Sequence, residues 1–91
     1  MPSRKVTISN RLGLHARPAM LLAERASAFS SKIGIARADG GDPVDGKSIM
    51  QLLMLAGTSG TVLKITAEGA DATDAITAIA ELIERGFEDD D

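Results

Sequence analysis

The chain contains one histidine, His15, inside the stretch "RLGLHARPAM" that spans residues 11 to 20. Arg17 stands two residues further on, and Pro18 follows it. Imidazole and guanidinium together suit phosphoryl chemistry: a ring nitrogen attacks phosphorus, and the planar guanidinium pairs with phosphate oxygens. Proline is tolerated in the first turn of a helix, where N–H groups lack intrahelical acceptors, so Pro18 predicts a helix opening at about Ala16. Pro18 also biases Arg17 away from the helical basin, which leaves the first helical residue open. His15 then lies at the N-cap or beside it. Helix N-termini attract anions, and their positive end together with a neighbouring guanidinium favours a neutral, nucleophilic ring. Gly13 lets the preceding backbone approach closely. A lone histidine is also at home as a surface loop residue or a weak cap. The Gly-x-His-x-Arg-Pro arrangement at a strand-to-helix junction is what favours chemistry here.

The chain also lacks certain features. There is no Walker-type loop, no His-x-x-x-His pair, no second histidine and no cysteine. No metal and no cofactor are therefore expected. One nucleophile with no cofactor pocket suits a protein that accepts and surrenders a group, a carrier rather than a turnover enzyme.

Hydrophobic periodicity supplies the elements that must position this stretch. "KVTIS" alternates, placing Val6 and Ile8 on one face of a strand. From Ala16 the period becomes helical, with Ala19, Leu22, Ala23, Ala26 and Phe29 in register, ending near the serines at 30 and 31. "KIGIAR" is a second strand and "ADGGDP" a turn. Val44 and Asp45 form a short third strand, with Pro43 suited to an edge. Ser48 opens a short apolar helix, "SIMQLLML", and Gln51 three residues on completes a capping-box pattern. "TVLKITA" is a fourth strand. Asp71 is the expected N-cap of a last helix with Ala72, Ile76, Ile79, Ala80 and Ile83 as its apolar stripe and Gly86 as its stop. The order β-α-β-β-α-β-α predicts an α+β open-faced sandwich, a four-stranded antiparallel sheet with three helices on one face.

At 91 residues the chain makes a single domain, 1–91, with an acidic tail from about residue 87. A chain this size buries roughly 60–65% of its unfolded surface, enough for one core and no deep enclosed cleft. Net charge is −3, which disfavours nucleic-acid and membrane-surface partners. With neither cysteine nor a leader-like or membrane-spanning apolar run, a cytoplasmic location without membrane insertion is expected.

"GLHARPA" at 13–19, "DGKSIMQLLML" at 45–55 and "EGADATDA" before the last helix resemble the histidine-containing phosphocarrier proteins, HPr, of the bacterial phosphotransferase system. The resemblance runs from about Val6 to Ile83. It implies that His15 accepts a phosphoryl group on Nδ1 from phospho-enzyme I and passes it to enzyme IIA domains for sugar uptake and its regulation. Arg17 would then bind the phosphate. Ser48 corresponds to the family's regulatory serine, the target of HPr kinase/phosphorylase. The resemblance also implies a docking patch on the short helix and the start of the first, comprising Met20, Lys47, Ile49, Met50 and Leu53. Core burial is expected for some of its apolar members. A monomer is the simplest state for a shuttle meeting several partners.

This chain departs from the family at Val44-Asp45, where Val-Asn is common, and in a longer turn before it. Asp45 adds a negative charge near Ser48 that weakens the case for kinase recognition. Two rival readings stand beside the carrier. One is a paralogue serving only a regulatory phosphorelay without sugar transport. The other is a KH-like nucleic-acid-binding module, suggested by "GTSG" at 57–60 and opposed by the absence of basic residues in that loop.

Overall fold

The computed structural model describes residues 2–55 and 57–88. The elements are β1 (Ser3–Thr7), α1 (Ala16–Ser27), β2 (Lys32–Arg37), β3 (Val44–Asp45), α2 (Ile49–Met54), β4 (Val62–Glu68) and α3 (Ala72–Glu84). The order is the one that the periodicity predicts. The strands form one sheet in the order β1-β4-β2-β3, with every neighbouring pair antiparallel. β1 and β2 therefore run parallel with β4 inserted between them, a split βαβ arrangement in an α+β open-faced sandwich.

The core follows from the alternation. Val6 lies opposite Leu63, while Ile35 lies opposite Ile65 and Ile33 opposite Ala67. Residues paired across antiparallel strands share a face, so the alternating positions merge into one apolar surface. All six are buried. Ala19, Leu22, Ala23 and Ala26 of α1 and the predicted stripe of α3 are buried against it. The other face of the sheet is open and polar, with Lys5, Lys32, Lys64 and Glu68 exposed.

Several expectations change in detail. β1 starts two residues earlier than "KVTIS" suggests; Ile8 lies beyond it, donating to the Thr61 carbonyl at 2.9 Å and accepting from the Gly60 amide at 2.8 Å. α1 ends at Ser27, so Phe29 packs on the core from outside the helix. Asp71 occupies the N-cap position of α3, but its side chain makes no capping bond. Its carboxylate instead accepts from the Ser30 and Ser31 amides, each at 2.9 Å, and from both serine hydroxyls. Phe87, placed by sequence at the start of the acidic tail, is fully buried after a left-handed turn at Gly86 and Phe87. Residues 89–91 of that tail lie outside the described residues.

Candidate functional site

The approach to His15 is built by two loops that interlock. Gly13 has φ +71° and donates to the Asn10 carbonyl at 3.2 Å, closing a tight turn over residues 10 to 13. The Gly13 carbonyl then accepts from Asn10 Nδ2 at 2.7 Å and from the His15 amide at 3.0 Å. Leu14 is buried and donates to the Gly57 carbonyl at 2.8 Å. A Cβ at position 13 would lie 2.5 Å from that carbonyl oxygen and 2.8 Å from Thr58 Cα, so only glycine fits. Gly57 is itself pressed against Ile8, where a Cβ would come within 2.7 Å of Cδ1. The "GTSG" loop is thus a structural wedge between α2 and β4, not a link between two helices.

His15 is the N-cap residue of α1. Its backbone is extended, with φ −89° and ψ −167°, and its carbonyl accepts from the Ala19 amide at 3.0 Å. The side chain makes no capping hydrogen bond, and the residue is half-buried. The ring is therefore not used to finish the helix. Pro18 is buried in the first turn and carries no N–H, while the Ala16 and Arg17 amides have no acceptor within the helix. Arg17 is exposed in that same turn. Together these features place a ring beside a helix N-terminus, where backbone donors and the helix dipole favour an anion.

Ser48 caps α2: its Oγ accepts from the Gln51 amide at 3.2 Å. The reciprocal arm of the box is absent, because Gln51 Oε1 accepts from the Asp45 amide at 3.0 Å while the Ser48 amide donates to the Asp45 carbonyl at 3.1 Å. Asp45 Oδ1 accepts from the Lys47 amide at 2.9 Å. Lys47 donates from Nζ to the Phe29 carbonyl at 2.7 Å, which ties its charge to the end of α1. Of the expected apolar patch, Met20, Ile49, Met50 and Leu53 are all exposed, and none joins the core. α2 spends its inward side on Leu52, and Leu55 just beyond the helix is buried too.

Reading from sequence missed Asn10, Gly57 and Thr58 as supports of the site, and also Leu12 and Met54, both exposed apolar side chains on the same two segments. Glycine at 57 was visible, but its partner 44 residues away at Gly13 was not. Two concavities, of about 670 and 700 Å³, lie elsewhere and include neither His15 nor Arg17. Among the described residues no group of three or more His, Asp or Glu is placed to hold a metal, and no helix is long and apolar enough to cross a membrane.

Comparison with known proteins places this geometry in a family. The family model described as "PTS HPr component phosphorylation site" matches residues 2–85. The chain is 40% identical to the phosphocarrier protein HPr of Neisseria meningitidis serogroup A over 87 residues, 96% of each chain. It is equally identical, over the same length and shares, to the phosphocarrier protein NPr of Proteus mirabilis. Among solved structures, the HPr of Thermoanaerobacter tengcongensis superposes with a TM-score of 0.90 at 41% identity, covering 99% of both chains.

Proposed function

The chain belongs to the HPr family of phosphotransferase-system phosphocarriers, and from that premise we propose that His15 is its phosphoryl acceptor. The observation that carries the reading is a half-buried imidazole at the N-cap of α1, with exposed Arg17 in the helix turn that it opens. The phosphoryl group arrives from phospho-enzyme I: a new bond forms from His15 Nδ1 to phosphorus as the bond to the donor imidazole breaks. The same displacement in reverse roles hands it to an enzyme IIA domain. Little acid–base chemistry is needed, so positioning and charge stabilisation dominate. The first-turn amides and Arg17 meet the transferring oxygens.

Docking falls to the apolar side chains of Met20 on α1 and of Ile49, Met50 and Leu53 on α2. Regulatory phosphorylation at Ser48 would add charge next to this surface without removing the helix cap's acceptor oxygens. A second reading, a family member serving a regulatory phosphorelay without sugar uptake, draws on the equal match to NPr. It predicts that no sugar-specific enzyme IIA takes the group from His15.

The test is labelling by purified enzyme I and radiolabelled phosphoenolpyruvate. Wild-type protein should take an acid-labile label, the mark of a phosphoramidate. His15→Ala should take none, and Arg17→Ala should be slower by about 10- to 100-fold. Equal labelling without His15 rules the assignment out.

A further inference from the structure

We propose that Met50 and Met54 are an oxidation-sensitive pair on the docking surface, whose conversion to sulfoxides slows phosphoryl acceptance without unfolding the chain. The inference rests on the carrier reading of His15. The chain has four methionines, and beyond the first residue they are Met20, Met50 and Met54. Methionine is usually a core residue. Here the described core is built from isoleucine, leucine, valine, alanine and one phenylalanine, with no methionine in it. Met50 and Met54 are 78% and 79% exposed, against 41% for Met20. They stand four residues apart on α2 and so share one helix face, turned away from buried Leu52.

The chain has no cysteine, and among the described residues these two thioethers are the most accessible oxidisable sulfurs. With a hydroperoxide, the sulfur lone pair takes one oxygen as the O–O bond breaks. Sulfur is oxidised by two electrons and the peroxide is reduced to water or an alcohol. The sulfoxide replaces an apolar, pliable contact with a strong dipole, which is costly to desolvate against a partner and harmless in solvent. The folded chain tolerates the change because neither side chain belongs to the core. Enzyme I, which on the carrier reading docks against this face, does not.

The experiment treats the full chain with dilute hydrogen peroxide and maps the product by tryptic mass spectrometry. Of the oxygens taken up by Met20, Met50 and Met54, the first two should fall in the peptide 48–64, which holds both residues. Enzyme I labelling is then compared with each protein's own unoxidised form. The expected result is unchanged melting temperature and circular dichroism with about a tenfold lower kcat/KM, restored by a methionine sulfoxide reductase. Met50→Leu/Met54→Leu should lose almost nothing on peroxide treatment. The proposal is overturned if oxidised wild type labels at its unoxidised rate, if the loss accompanies unfolding, or if the leucine variant loses the same factor. Failure of the unoxidised protein to label overturns the carrier reading, and this inference with it.

Discussion

At the scale of single residues, His15 depends on neighbours that do no chemistry. Gly13 is the strictest of them: its φ of +71° and the 2.5 Å approach of the Gly57 carbonyl both exclude a Cβ. Gly13→Ala should destabilise the fold by about 3 kcal/mol in urea titrations, combining left-handed strain with overpacking. The surviving folded protein should label more slowly, because Leu14 and His15 can no longer hold their places. Asp71 makes a second residue-level prediction. Hydrogen bonds from the Ser31 hydroxyl and the Ser30 amide, with help from the Ser31 amide and Ser30 hydroxyl, hold its carboxyl at about 2, below the ordinary 3.8. Because the folded value is depressed, the stabilisation is present above about pH 4 and is lost as pH falls from about 4 to about 2. Asp71→Asn should flatten that part of the acid-unfolding profile; an unchanged profile would rule out this assignment. Asp71 was legible as a residue near a helix start, yet its partners were not, since Ser30 and Ser31 lie some forty positions away and outcompeted the local cap.

Among the elements, α2 shows how a short helix divides its surface. Six residues cannot bury every side, so Leu52 goes inward while Ile49, Met50, Leu53 and Met54 face out. Its start relies on Ser48, which satisfies one amide of the first turn. Ser48→Ala should cost about 1 kcal/mol, and Ser48→Asp should recover most of it; equal stability of all three by chemical denaturation would show that the cap is idle. The serine was readable as a cap. The rest of the capping box was not, because Gln51 turns to the Asp45 amide on the incoming strand. Strand faces were legible throughout, since side-chain alternation needs only the local chain. Strand ends were less so: the ladder from Ser3 to Thr7 depends on where β4 lies, not on residues 3 to 9 alone.

For the molecule as a whole, stability is drawn from one aliphatic core closed at the end of the chain by Phe87. That ring is fully buried in a residue with φ +60°, where side chains other than glycine's are uncommon. Burial of one of only two phenylalanines explains why the strained backbone is kept. Phe87→Ala should cost about 3 kcal/mol by urea unfolding, the lower end for an emptied aromatic site because the strained turn relaxes. The same change should also slow labelling of the folded protein, since Gly86 beside Phe87 lies against Asn10, whose side chain holds the Gly13 carbonyl in the loop before His15.

The sequence by itself determined which face of each strand and helix is apolar, the order of the elements and the location of the single histidine at a helix start. These follow from properties carried within a few residues: alternation, the 3.6-residue period and the missing amide of Pro18. Tertiary structure decided that Gly57 braces Leu14, that Asp71 serves the turn between α1 and β2 instead of its own helix, that Lys47 reaches the end of α1, and that Phe87 belongs inside. Each is a choice between a local partner and a distant one. Only closure of the sheet under the helices brings the distant partner near enough to win.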